Sequence, residues 1–199
     1  MFKQLILSLC LAVAMPLVGD AQASIFSPKV YSTGKQIEDK PLAMHAFMEL
    51  RGAHPTTEPL EFKDFAGKTH KLSDYKGKLL ILDMWGTWCE PCIRGIPALT
   101  KMQKKYNTPE SKIRFVSVSI DDEKTDVKKW LKKHGFEDFQ TWLDPKMQLD
   151  QVIPIEVVPC VFVFDGSSNL IGFVRGYLDW GDEEVPAYLD KLAEKYAHR

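Results

Sequence analysis

The hydrophobic and polar positions of this chain change period several times. From Ser24 to about Lys40 the sequence is polar and irregular, and a mobile lead-in is expected there. "DKPLAMHAFMELRG" then suggests a short helix: Asp39 as N-cap, Pro41 in the first turn, Ala43, Ala46, Phe47 and Leu50 on one face, and Gly52 as the stop. "LEFKDFAGKTHKLSDYKG" reads as a hairpin with Gly67 at its tip. "KLLILDMW" is a continuous apolar run of β type, the mark of a strand buried on both faces. Behind it Ile96, Leu99, Gln103 and Tyr106 recur at helical spacing, flanked by Ile93 and Met102.

"KIRFVSVSID" repeats the buried-strand pattern, and Val127, Trp130, Leu131 and His134 predict a helix that Gly135 stops. "VPCVFVFDGSSNLIGFVRG" predicts two strands joined by a Gly/Ser/Asn turn. The chain closes on an amphipathic helix carrying Val185, Leu189, Leu192 and Tyr196. The order β-α-β-α-β-β-α predicts an α/β fold, a central mixed β-sheet flanked by helices on both faces.

Composition changes the picture in two places. The chain has 199 residues, 45% of them hydrophobic, enough for one domain with an appended N-terminal segment. Lys+Arg at 26 against Asp+Glu at 27 leaves a net charge of -1, with no footprint for nucleic acid and no polybasic membrane patch. The opening "MFKQLILSLCLAVAMPLVGDAQA" has a lysine at position 3, an apolar core from Leu5 to Val18, and small residues ending Ala21-Gln22-Ala23. That is the pattern of a secretory signal peptide cleaved after Ala23, and the core is shorter than a spanning helix needs. An uncleaved anchor is the alternative. The expected organisation is residues 1–23 signal peptide, 24–57 N-terminal extension and 58–199 folded domain, with the protein outside the cytoplasm.

Cys10 would leave with such a leader, so Cys89, Cys92 and Cys160 remain. A disulfide that closes a loop as short as Cys89 to Cys92 adds little stability, so reactivity explains the pair better than stapling. In "MWGTWCEPCIRGIP" a buried strand ends and a helix begins at about Cys89. The first-turn N–H groups of that helix lack partners and carry partial positive charge. They would lower a thiol pKa from about 8.5 toward neutrality, which makes Cys89 the attacking thiolate. Cys92, one turn further in and expected to be the more buried, would then resolve the mixed disulfide. Pro91 suits the first turn because its missing N–H is no loss there. Glu90 is favourable against the helix dipole, and its charge beside Cys89 opposes the thiolate. A zinc site would need further paired ligands and a c-type haem would need His where Ile93 stands, so no metal or cofactor is expected beyond the dithiol itself.

These residues resemble the thioredoxin superfamily, and within it the extracytoplasmic thiol–disulfide oxidoreductases of the ResA/TlpA/DsbE type. The likeness runs from about Leu60 to the C-terminus. It rests on "WGTWCEPC", on Asp83 six residues before the first cysteine, on Pro97 five after the second, and on "VVPCVFVFDG". It implies a thioredoxin-like fold, and that Asp83 accepts the proton of Cys92. It places the cis-proline at Pro159, so that the Val158 backbone could pair with a substrate segment beside Trp88. It further implies disulfide-containing clients, a membrane thiol donor of electrons, a monomer, and a potential nearer the reducing end of the family's range. Two departures stand out. Ser117 and Ser119 stand where thioredoxins carry a lysine near the acid. Gly95 stands where ResA-type proteins carry a glutamate used to recognise apocytochrome c, so the likeness does not extend to that client.

Cys160, beside Pro159, is either a buried small hydrophobe or an alternative partner for Cys89, a redox-sensitive brake. The functional alternatives are a disulfide oxidant or isomerase on the same fold, a thiol peroxidase with its cysteine in another motif, and a copper-handling module using Met44, His45, Met48 and His54.

Overall fold

The computed structural model describes residues 31–56 and 59–198. The leader, its cleavage point and Cys10 lie outside those residues. The strands are β1 (Tyr31–Ser32), β2 (Met48–Pro55), β3 (Glu61–Lys63), β4 (Thr69–Lys71), β5 (Leu79–Trp85), β6 (Ile113–Ser119), β7 (Thr141–Leu143), β8 (Cys160–Phe164) and β9 (Asn169–Arg175). The helices are α1 (Glu90–Tyr106), α2 (Val127–Lys133), α3 (Gln148–Val152) and α4 (Val185–Tyr196). Among the described residues the strands form one sheet in the order β1-β2-β9-β8-β5-β6-β7-β3-β4.

The sheet is mixed, as the sequence pattern predicts. β5 runs parallel to β6 and antiparallel to β8, and β6 runs parallel to β7. Every residue of β5 is buried, which is why its sequence shows no alternation. Alternate side chains serve two cores. Leu79, Ile81 and Trp85 pack with Ile96 and Leu99 of α1, Leu131 of α2 and Leu189 of α4. Leu80, Leu82 and Met84 pack on the other face with Phe162, Phe164 and Leu149 of α3. Right-handed crossovers that step twice in the same direction, β5 to β6 to β7, put α1 and α2 on one face. The other face receives only α3 and a single 3-10 turn, Leu72–Tyr75.

The region before residue 58 departs from expectation. Residues 39–52 do not make a helix: a 3-10 turn at Leu42–Met44 leads into β2. Pairing of β2 with both β9 and β1 satisfies its backbone on two sides, and this tertiary gain overrides local helical spacing. Of the expected helical face, Phe47 is buried and Ala46 is exposed. The lead-in is tied down from Tyr31 onward. Thr33 is fully buried and donates to the carbonyl of Leu50 at 2.5 Å. Buried Glu49 accepts from the backbone N–H of Ile37 at 3.0 Å, from Lys195 Nζ at 2.5 Å and from the Tyr196 hydroxyl. The extension is thereby fastened to α4. β7 and α3 have no counterpart in the sequence reading.

Gly172 in β9 is what lets β2 close on the sheet. A Cβ there would lie 2.6 Å from the Phe47 ring and 2.8 Å from the backbone oxygen of Met48. Gly172→Ala should therefore lower the urea midpoint at unchanged slope, a loss of about 1–3 kcal/mol from overpacking.

Candidate functional site

The site forms where β5 ends and α1 begins. Gly86 accepts the N–H of Cys89 at 3.0 Å, and the carbonyl of Cys89 accepts the N–H of Ile93 at 3.0 Å, so Cys89 caps the helix. The Cys92 N–H donates to Cys89 Sγ at 3.3 Å. Cys89 and Cys92 are joined as a disulfide with Cα atoms 5.2 Å apart. Sequence spacing suggested that Cys92 would be the more enclosed. In the disulfide both are equally so, at 4% and 5% exposed, because each bonded sulfur shields the other. Pro91 lies in the first turn, as expected, and Glu90 is exposed beside it.

The turn leading into the helix is clamped by a residue that the sequence reading passed over. Asp121, just beyond β6, is buried and accepts from Thr87 N at 3.0 Å, Thr87 Oγ1 at 2.6 Å and Ser119 Oγ at 2.7 Å. The signal available was an acid immediately after a buried strand. Trp88 is 65% exposed and folds back over Gly86, where a Cβ would meet the indole at 2.8 Å. The indole can take that position only because residue 86 is glycine.

Asp83 points from β5 toward the same face as Ile81 and Trp85. It is 2% exposed, and among the described residues its Oδ2 has no hydrogen-bond partner. Burial pushes its pKa up to about 7, and a hydrogen bond from Ser117 on β6 partly opposes the rise. Ser117 Oγ in turn accepts from Gln103 Nε2 at 3.3 Å, and Gln103 is anchored to the Gln140 backbone at 2.7 and 3.0 Å. Asp83, Cys92, Pro91, Gly95, Pro159 and Tyr177 line one narrow cleft of about 10 Å³. A carboxyl that can exchange a proton near neutral pH therefore shares a cleft with the inner cysteine.

The Val158–Pro159 peptide bond is cis, and Pro159 is buried at the cleft. Val158 lies outside the ladder, two residues ahead of β8. Cys160 follows, but not on the dithiol side. Its partner in β5 is Met84, and its thiol packs with Phe162, Phe164 and Leu82 in the opposite core. The sheet itself separates it from Cys89, so the alternative-partner reading falls. Burial pushes the Cys160 thiol up to about 12, which keeps it protonated and inert. The copper set is not assembled either. Met44 is in the core, and Met48 and His54 are six residues apart on one strand, roughly 20 Å at strand rise.

Comparison with known proteins fits this geometry. The AhpC/TSA family profile matches residues 55–171. Curated relatives include a thiol-disulfide oxidoreductase ResA of Geobacillus thermodenitrificans, 25% identical over 69% of this chain and 76% of the relative. The ResA of Bacillus subtilis is 30% identical over 57% of this chain and 62% of its own length. Among solved structures, the exposed lipoprotein thioredoxin Etrx1 of Streptococcus pneumoniae superposes with a TM-score of 0.57 at 25% identity, over 69% of this chain and 99% of that one.

Two outcomes follow from the burial of Asp83 and Cys160. Unfolded, Asp83 ionises near its ordinary 3.8; folded, near 7. Between those values the folded chain holds a proton that the unfolded chain has lost, so rising pH removes stability through that window, and the loss is complete above it. Urea unfolding of Asp83→Asn at pH 5 and pH 8 should show the variant gaining on wild type by on the order of 2 kcal/mol across the interval. Cys160→Ser should leave disulfide turnover within about twofold of wild type while costing roughly 1–3 kcal/mol of stability for a buried hydroxyl.

Proposed function

The chain belongs to the AhpC/TSA family and is a thiol–disulfide oxidoreductase of thioredoxin fold, and from that premise we propose that it reduces disulfides of client proteins outside the cytoplasm. The observation that carries the reading is the cleft shared by the Asp83 carboxyl and Cys92, behind a cysteine placed at a helix N-terminus.

In the reduced form the Cys89 thiolate is stabilised by the Cys92 N–H and by the unpaired first-turn amides of α1. It attacks one sulfur of a client disulfide. The client S–S bond breaks, a Cys89–client bond forms, and a client thiolate leaves. Asp83 takes the proton from the Cys92 thiol, and the new Cys92 thiolate attacks Cys89 Sγ. The mixed disulfide breaks, the second client thiolate departs, and the Cys89–Cys92 disulfide is restored. Two electrons have passed to the client, and a membrane thiol donor returns them. Trp88 and the backbone of Val158, both beside the dithiol, would hold the client segment, with Val158 pairing as an added strand. Glu90 on the exposed first turn sets how strongly the helix favours the thiolate.

The resemblance of "WGTWCEPC" and its neighbours to the ResA/TlpA/DsbE type supports the reducing direction. The "A-x-A" ending at Ala23 supports export, as does the pattern around it. The same dithiol could run as an oxidant, but nothing in the site's geometry favours that direction.

Trapping tests the scheme. Cys92→Ser should accumulate a mixed disulfide through Cys89 with a disulfide-bonded client, visible as a reducible adduct on a gel. Cys89→Ser should form none and lose turnover by about 10³-fold or more, as expected for removal of a nucleophile. Adducts that form equally well through Cys92 in the Cys89→Ser variant would contradict the assigned roles.

A further inference from the structure

Gly95 lies on the buried side of α1, and a Cβ there would make only ordinary van der Waals contacts. A Cβ there would sit 3.9 Å from Cε2 of Tyr177 and 4.0 Å from Cδ1 of Leu99. Tyr177 therefore borders α1 at Gly95 without filling the place of a side chain. Gly176 delivers it: a φ of +94° and a 2.9 Å hydrogen bond from its N–H to the carbonyl of Pro159 turn the chain toward α1. The Arg94 guanidinium lies 6.0 Å from the ring centroid, at the limit of a cation–π contact. The ring is 47% exposed, and among the described residues its hydroxyl makes no hydrogen bond. Half of the ring's surface stays open to solvent, where a client can reach it.

Behind that ring is the cleft of about 10 Å³, bounded by Asp83, Cys92, Pro159, Leu178 and Trp180. It is at the lower limit for one water, although among the described residues Asp83 Oδ2 lacks any protein partner there. Three of the exposed large apolar side chains belong to this end of the molecule: Trp88, Val157 and Tyr177.

We propose that Tyr177 is the specificity-determining wall of the dithiol site: bordering α1 at Gly95, its ring closes the cleft over Asp83 and Cys92, and a client segment with apolar residues beside its cysteine displaces it. This deepens the reductase reading and rests on it. With the ring seated, the carboxyl is dry and holds its proton. With the ring displaced, water reaches Oδ2 and takes that proton; the carboxylate then accepts the proton of the Cys92 thiol, and the electron pair stays on sulfur for the attack on Cys89. Water admission and client engagement thus become one event. The groups that face Asp83 are Cys92 from α1, Ser117 from β6, Tyr177 and Trp180 from the segment after β9, and Cys160 of β8 from across the sheet. The formal charges on residues adjoining the cleft lining are Glu90, Arg94, Arg175 in its 3.1 Å ion pair with Glu156, and Asp179, which accepts the N–H of Gly181.

Infrared titration of the full-length oxidised chain tests this without turnover, with Asp83→Asn identifying the carboxyl band. Tyr177→Ala should lower the Asp83 midpoint by about one pH unit or more, toward the ordinary carboxylate value, whereas Tyr177→Phe should keep the wild-type midpoint. In turnover, Tyr177→Ala should raise KM for an apolar-flanked peptide disulfide by about threefold to tenfold, as lost apolar contact requires, and by clearly less for glutathione disulfide. An unmoved midpoint in Tyr177→Ala, or one that Tyr177→Phe shifts equally, overturns the proposal. A wild-type chain that reduces neither disulfide, with the midpoint shift intact, instead overturns the reductase reading.

Discussion

A carboxyl kept dry beneath the start of a helix is the constraint on which this structure turns. Asp83 occupies a strand with no solvent-facing position, flanked by apolar neighbours on both sides, and its Oδ2 is left without a partner among the described residues. Such a group weakens the fold whenever it ionises, which is the reason its proton affinity rises to near neutrality. That cost is the same property that makes it useful beside a thiol. A carboxylate in water throughout would be a weaker acceptor for the Cys92 proton at neutral pH. The sheet must therefore be covered on the Asp83 face, and α1, α2 and α4 all contribute to covering it.

The remaining features of the site serve to hold the helix start in register with that acid. β5 and β6 end side by side, Trp85 opposite Ser119, and Asp121 just past β6 grips the turn through the backbone and hydroxyl of Thr87. The turn is thus fixed from the neighbouring strand as well as by its own Cys89 N–H to Gly86 hydrogen bond. The pleat of the sheet does the opposite for Cys160. Its place one residue past the cis-proline brings its backbone close to the dithiol, but alternation sends its thiol to the far core. Proximity along the chain is not proximity in chemistry when a strand intervenes.

Much of this was legible in the residue pattern. The unbroken apolar run at β5 and the stripe from Ile96 to Tyr106 located the central strand and the reactive helix, because both are long and strongly patterned. Cys89 and Cys92 were recognisable because spacing ties them to those elements, and Asp83 and Pro159 because the residues around them resemble the family's. Residues 39–52 were misread because local spacing favoured a helix while pairing with β9 and β1 decided for a strand, and a single sequence does not show partners that are distant along the chain. β7, at three residues, and α3, at five, are too short to develop a period. Asp121 and Tyr177 were invisible for a related reason: each acts on a segment far away in sequence.

The account stands or falls on the direction in which the dithiol passes electrons. The measurement to make is the reduction potential of the Cys89–Cys92 couple, by equilibration against defined dithiol and disulfide buffers, with Trp88 fluorescence as the reporter. A potential near that of thioredoxin, about −270 mV, is the predicted result and fits a chain that reduces its clients. A potential near the oxidising end of the family, about −120 mV, would contradict it and make this chain a donor of disulfides.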